Sequence, residues 1–330
     1  MAKTKKQSNA EKAAEAIAEL ESMFGEGVVT TINKKDIKQI EAIPTGSLGL
    51  DAALGIGGIP VGRIIEIYGK ESSGKTSLAI SIAREAQRKY PDKRIAYVDA
   101  EHAFDNVYAE KIGLDIEKML FSQPDFGEQG MDIVLKLTGS GAFSVIVVDS
   151  VTALTPLAEI EGEMTDQTIG LQARIMSKGL RKLAGPASNT GTTIIFINQV
   201  RANIGTMGYG PKETTTGGKG LKFFSSVRIE TRIIKKEENN VRVKAKIVKS
   251  KVSPPYREAE YEIDFGEGIS MVGELIDYGI QMGIVVKKGA WFNYGDISLG
   301  QGKEKAKDFF RNNEDIFQEL YNKVSEMMRS

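Results

Sequence analysis

Eight consecutive residues carry the densest chemistry in the chain: Gly69-Lys70-Glu71-Ser72-Ser73-Gly74-Lys75-Thr76. The pattern G-x-x-x-x-G-K-[ST] lets backbone N–H groups close around phosphate oxygens, and a helix starting at its end adds its positive dipole end. Lys75 then reaches the β and γ phosphates, and Thr76 offers a hydroxyl to Mg²⁺. Further along, Val145-Ile146-Val147-Val148-Asp149 is an apolar strand ending in a carboxylate, which beside a phosphate loop can hold the Mg²⁺ hydration shell. Together the two motifs imply binding of a nucleoside triphosphate. Glu101, in Asp99-Ala100-Glu101-His102, follows another apolar strand. At the carboxyl end of a sheet such a group can orient and deprotonate a water.

Three rival readings of the loop fail. Asn33-Lys34-Lys35-Asp36 spells a guanine-specificity motif but precedes the phosphate loop. An LSGGQ-type signature is absent. Gly55-Ile56-Gly57-Gly58-Ile59-Pro60 starts like a dinucleotide fingerprint but has proline where the third glycine belongs.

The elements that must position these groups follow from periodicity. Apolar strands at 64–68, 94–98, 143–148 and 192–198 alternate with helical patterns, of which 75–90 is one. That alternation predicts an α/β fold with a mostly parallel sheet covered on both faces. After Lys222 consecutive strands are expected (222–234, 241–251, 257–265), and from Met271 helical patterns dominate a small mixed module. Ahead of the sheet, Ser8 and Glu11 have capping-box spacing before an apolar stripe of Ala13, Ala16, Ile17, Leu20, Met23 and Phe24. That helix and the β-prone run Val28-Val29-Thr30-Thr31 are too small to fold alone and should pack on the rest of the chain or on a neighbouring copy. The expected division is 1–38, an oligomerisation helix and strand; 39–274, the nucleotide-binding core; and 275–330, a small C-terminal domain.

Two irregular stretches leave the same sheet edge: 159–170, and 201–220 with six glycines. Loops of this length inside a compact fold are generally functional or disordered. Lys249 and Lys251 break the pattern of their own strand. Val241, Val243, Ala245 and Ile247 place the apolar face on odd positions, so two further odd lysines either mark the strand's end or leave the core to meet an anion.

Composition narrows the remaining choices. The 330 residues include no cysteine, which excludes disulfides, thiolate zinc sites and a cysteine nucleophile. A single histidine, His102, argues against a His-rich metal site or a Ser-His-Asp triad. The basic start lacks an apolar segment and no run approaches bilayer length, so a soluble, cytoplasmic protein is expected. Lys+Arg and Asp+Glu both total 44, yet residues 99–132 hold nine acids against two bases and 228–251 nine bases against three acids. A neutral protein so divided can still bind a polyanion locally.

Beyond these readings, several segments resemble the bacterial RecA recombinase family. They are ESSGKT (71–76), DAEHAFD (99–105), VIVVDSVTALTP (145–156), AEIEGE (158–163), FINQVR (196–201) and ETTTGG (213–218). The resemblance runs from about residue 8 to about residue 310. It implies a RecA-type ATPase fold and an ATP- and Mg²⁺-dependent filament on single-stranded DNA that pairs it with homologous double-stranded DNA. In that reading Gly69, Glu71, Ser72, Ser73, Gly74, Lys75, Thr76 and Ser77 hold phosphates, Thr76 and Asp149 hold the metal, and Asp105 and Tyr108 contact adenine. Glu101 activates water, Gln199 senses the γ-phosphate, and Lys249 and Lys251 reach ATP bound to the adjacent subunit.

The DNA loops would be 159–170 and 201–220, with Ile169, Arg201, Ile204, Thr216, Gly217, Gly218 and Lys219 in them, assisted by Arg174, Ser177 and Arg181. The chain departs from the family pattern at several points. The second loop is one residue longer around Lys212, Gly208 replaces an aromatic, Lys219 an Asn and Ile169 a Met. The family's acidic tail does not follow Glu326, so autoinhibition by such a tail is expected to be weak or absent. Whether the filament also promotes repressor self-cleavage stays open. The alternatives are a related hexameric helicase or a P-loop small-molecule kinase.

Overall fold

Why the strands sit where they do follows from which faces they can bury. The computed structural model describes residues 8–26, 28–29, 40–163, 170–202 and 213–329. It comprises two units, Met1–Gln39 and Ile40–Ser330. In the first, helix α1 (Asn9–Phe24) begins with the expected capping box: Ser8 Oγ accepts from the Glu11 amide at 3.2 Å, and the Glu11 carboxylate accepts from the Ser8 amide at 2.8 Å. No residue of α1 is buried, and Met23 and Phe24 of its apolar stripe are each 66% exposed. Val28 and Val29 form a bend rather than a strand, and Thr30 and Thr31 lie outside the described residues.

The second unit opens with β1 (Ala42–Ile43), α2 (Leu48–Leu54) and β2 (Ile59–Pro60). The alternating segment comes next: β3 (Ile64–Gly69), α3 (Lys75–Lys89), β4 (Arg94–Asp99), α4 (Asn106–Lys111), β5 (Met119–Ser122), α5 (Gly127–Ser140) and β6 (Phe143–Asp149). It continues through α6 (Leu157–Glu161), α7 (Leu171–Thr190), β7 (Thr193–Ala202), β8 (Glu213–Thr215), α8 (Gly220–Phe224), β9 (Val227–Lys236), β10 (Asn240–Ser250), β11 (Glu258–Asp264) and β12 (Gly268–Ile269). Among the described residues the central sheet runs β12-β11-β10-β9-β3-β7-β6-β4-β5. From β9 to β5 neighbours are parallel, and from β9 to β12 antiparallel.

β3 and β6 are buried along their whole length, as strands covered on both faces must be. Alternate side chains feed two cores. Ile65, Ile67, Val145 and Val147 pack with Leu50 and Leu78 of α2 and α3. Ile64, Ile146, Val148 and Phe196 pack with Val134 and Leu180 of α5 and α7.

The chain ends in α9 (Met271–Gln281), the meander β13 (Val285–Lys288), β14 (Trp291–Tyr294) and β15 (Ile297–Gln301), then α10 (Lys303–Asn312) and α11 (Glu314–Arg329). These elements enclose a third core around Leu275, Phe292, Phe310 and Leu320. Fully buried Glu274 of α9 accepts from Ser47 Oγ at 2.7 Å, and that burial pushes its carboxyl up to about 8. No helix among the described residues is long and apolar enough to cross a membrane.

Two further expectations need correcting. Residues 222–224 belong to helix α8, because Gly220 and Leu221 seat that turn on α7 before the strand begins at Val227. The irregular stretch 201–220 is shorter than expected, since β7 runs on to Ala202 and pairs antiparallel with β8 (Val200 opposite Thr215, Arg201 opposite Thr214).

Candidate functional site

The phosphate loop is built by close approach. A Cβ on Gly69 would lie 2.3 Å from the Thr231 carbonyl oxygen and 2.6 Å from Ser73 Oγ, so only glycine fits where β3 ends. Ser72 and Gly74 take left-handed backbone (φ 56° and 83°), turning the chain into α3. No side chain caps α3, which leaves its first N–H groups facing the loop. Buried Lys75 donates to the Lys70 carbonyl at 2.6 Å. Burial lowers its pKa, opposed by the charges of Asp149, Glu101 and Glu71. Residues 72–77 line a cleft of about 450 Å³ together with Tyr108 and, from the antiparallel strands, Ile233, Lys236, Val241, Ile263 and Phe265. Tyr108 Oη shares a 2.7 Å hydrogen bond with Ser77 Oγ, and Asp105 caps α4 through the Tyr108 amide at 2.9 Å.

Neighbouring strand ends supply the acids. Asp99 and Asp149 are ladder partners, so the tips of β4 and β6 bring carboxylates side by side. Asp149 Oδ2 accepts from Thr76 Oγ1 at 3.0 Å and from Tyr97 Oη at 2.7 Å. Burial raises its pKa, with Glu101 and Asp99 adding to the rise and the two hydroxyls opposing it. A buried carboxylate crowded by Glu101 and Asp99 and set beside a hydroxyl suits a Mg²⁺ held by one or two protein groups plus phosphates. Among the described residues no group of three or more acids or histidines could hold a metal alone. Glu101 Oε1 accepts from Gln199 Nε2 at 3.1 Å and from the Ser150 hydroxyl, so the tip of β7 is hydrogen-bonded to the candidate base.

The DNA-loop candidates gather nearby. Asn198, one residue before Gln199, accepts from the Thr216 hydroxyl at 2.5 Å and donates to its carbonyl at 3.1 Å. The next turn packs on α7, where a Cβ on Gly218 would lie 2.6 Å from Ala173 and one on Gly220 3.3 Å from Ser177 Oγ. Arg174 and Arg181 are exposed on α7 and Lys219 on the turn, so these cations share one surface region with Ser177. Arg201 is exposed near the end of β7. Ile169 and Ile204 lie outside the described residues, as do 164–169 and 203–212 as a whole.

Lys249 escapes the apolar face by a β-bulge. Ile247 pairs with Ile229 but Lys249 pairs with Arg228, so Val248 is an extra residue that turns Lys249 onto the opposite face. There its Nζ donates to the carbonyls of Lys222 and Phe223 at 2.7 and 3.0 Å. The expected anion is therefore replaced by the carbonyl end of α8. Burial, Lys251 and Arg228 lower its pKa against Glu66. Lys251 is exposed just past the strand, and neither lysine lines the cleft that holds Lys75.

Comparison with known proteins decides the family. A model of the RecA N-terminal domain matches residues 11–270, and one of the RecA C-terminal domain matches 273–329. The chain belongs to the RecA family. It is 56% identical over 318 residues to Protein RecA of a Nitratiruptor species, covering 95% of this chain and 92% of that one. Protein RecA of Wolinella succinogenes is likewise 56% identical, over 94% and 89% of the two chains, and that of Helicobacter hepaticus 53%, over 96% and 92%. As a RecA family member the chain is a recombinase and a DNA-dependent ATPase; it uses ATP, binds DNA and forms filaments.

Sequence reasoning passed over Tyr97, Ser150, Thr152 and Glu66. Only Glu66 left a signal, an acid in the middle of the apolar run Ile64-Ile65-Glu66-Ile67-Tyr68.

Proposed function

We infer that the chain assembles on single-stranded DNA and pairs it with homologous double-stranded DNA, turning over MgATP at clefts completed between subunits. Gly69 to Ser77 grip the phosphates, with Lys75 on the β and γ groups. Asp105 and Tyr108 border the adenine, and Thr76 and Asp149 would hold Mg²⁺, whose charge screens the phosphate oxygens. Glu101 orients a water and accepts its proton as the water oxygen bonds the γ-phosphorus and the bond to the β-bridging oxygen breaks, giving ADP and phosphate. Lys249 and Lys251, absent from their own chain's cleft, act on the neighbouring subunit's triphosphate. Arg174, Ser177, Arg181, Arg201 and the turn at Thr216, Gly217, Gly218 and Lys219 hold the DNA backbone together with Ile169 and Ile204. Residues 1–38 serve as the assembly arm, 39–274 as the ATPase core and 275–330 as the small C-terminal domain.

The observation that carries this reading is the 3.1 Å hydrogen bond from Gln199 to Glu101, with Asn198 alongside gripping Thr216. One strand end thus touches both the candidate base and the DNA-loop stem. In a Gln199→Ala chain ATP should bind as in wild type but no longer strengthen binding to a fluorescent single-stranded oligonucleotide. If ATP still strengthened it, the coupling would not run through Gln199.

A further inference from the structure

Glu66 stands where a doubly buried strand should hold only apolar side chains. It is 0% exposed, between Ile65 and Ile67. A carboxylate there needs partners on both oxygens. Oε1 accepts from Asn198 Nδ2 at 2.9 Å, and Oε2 accepts from Nε of Arg228 in a buried ion pair. Ladder register makes this possible. Glu66 lies opposite Arg228 on β9 and Tyr68 opposite Asn198 on β7, so all four share one sheet face. Arg228 is fixed from the side as well, its guanidinium 4.7 Å from the centre of the Tyr68 ring.

Asn198 is thereby left with one amide orientation. Nδ2 faces Glu66 and the Thr216 carbonyl, while Oδ1 receives the Gln199 amide at 2.9 Å and the Thr216 hydroxyl. Thr216 in turn shares a 2.9 Å hydrogen bond with Thr152. On the far side Arg228 is the ladder partner of Lys249.

We propose that Glu66 is a positioning residue for ATP hydrolysis: its buried carboxylate sets the amide polarity of Asn198, and through it the placement of Gln199 against Glu101 and of Thr216 at the DNA-loop stem. The same carboxylate anchors Arg228 beside Lys249, so the water-activating corner and the lysine offered to the next subunit share one buried reference point. The inference rests on the roles of Glu101 and Gln199 given above.

Glu66→Gln tests it with little change of shape. The new side chain has one oxygen, and the charged Arg228 donor keeps it. Its NH₂ then meets Nδ2 of Asn198, which must flip and present a donor to the Gln199 amide. Fluorescent-ATP affinity and the KM for ATP should stay within about twofold of wild type, because the phosphate loop is untouched. DNA-stimulated kcat should fall about 10²-fold, the usual cost of a displacement near 1 Å in a catalytic group.

Combining Glu66→Gln with Asn198→Asp reverses the polarity of the bond. The introduced amide donates to the introduced carboxylate, which also accepts from the Gln199 amide and the Thr216 hydroxyl, although the Thr216 carbonyl loses the donor that Asn198 Nδ2 gives it. Part of the lost kcat should return, whereas Asn198→Asp alone sets two carboxylates together and should stay inactive. Wild-type kcat in Glu66→Gln overturns the proposal, and so does a double variant that fails to fold or does no better than the singles. Nucleotide affinity falling in step with kcat would mean a merely structural role. If Glu101→Gln hydrolysed at the wild-type rate, the reading beneath the proposal would fall instead.

Discussion

In the parallel half of the central sheet, β3 and β6 are buried end to end and, Glu66 apart, keep their chemistry for the tips, at Gly69 and Asp149. In the antiparallel half, β10 and β11 carry charges along their length. Arg242 meets Glu262 at 2.7 Å, Lys246 meets Glu258 at 3.5 Å, and Lys244 also bonds Glu258. The difference follows from cover. A strand with helices on both faces has nowhere wet but its end, so reactive groups converge there from neighbouring strands. A strand with one open face can seat opposite charges rung by rung, where each exposed pair contributes little. Charge density is therefore a poor guide to the proposed catalytic site in this molecule.

Substitutions can test that contrast. At the parallel tips, Lys75→Ala should abolish ATP turnover, measured as phosphate release with single-stranded DNA present, because the β/γ charge loses its cation; wild-type release would remove the cleft from the mechanism. Lys249→Ala bears on whether one antiparallel residue belongs with the tips. DNA-stimulated turnover should drop by about 10³–10⁵, as when a charge supplied in trans is removed, with folding and nucleotide binding nearly intact. Mixing Lys249→Ala with Lys75→Ala subunits should restore part of the activity, since some junctions then join a sound loop to a sound lysine. No recovery despite co-assembly would confine the lysine to its own chain. Glu101→Gln should slow hydrolysis by about 10²–10⁴ while keeping ATP and DNA bound, so its filaments should outlast wild-type ones in a dissociation assay.

Smaller effects belong to the antiparallel half and its surroundings. Glu274, beneath β11, has a carboxyl raised to about 8 by burial, so the fold prefers it protonated. Its contribution is whole below the unfolded carboxylate range and fades as pH climbs toward about 8. Glu274→Gln should flatten that decline in denaturant melts between about pH 5 and 8; an unchanged slope would put its source elsewhere. Glu258→Gln, on the open face of the sheet, should leave both the unfolding midpoint and ATP turnover unaltered. A large loss in either would undo the contrast.

Much of the site was legible because it is local. The phosphate loop, the acid after β6 and the capping box of α1 are each written within a few residues. Glu101 and Gln199 could be marked singly, but their contact needs β4, β6 and β7 set in order, which no periodicity reports. Lys249 shows the limit clearly. Alternation counts residues by twos, and one extra residue at Val248 makes the pattern look broken when it has only been reset. Lys222-Phe223-Phe224 read as strand because lysine and aromatics say nothing about Gly220 docking on α7. Glu66 was visible as a misfit, but its partners lie 132 and 162 residues away.

The extra residue at Val248 also gives this strand one place where its length can change. Losing Val248 alone would close the bulge and leave Lys249 directly after Ile247, still opposite Arg228, so the lysine keeps its face. Losing a residue from the regular run Ala245 to Ile247 would instead flip the residues before the gap, placing Arg242 and Lys244 on the face where Val241 and Val243 pack. In a library of variants the signature would be one accepted codon loss, at Val248, beside sharp rejection of the losses that precede it.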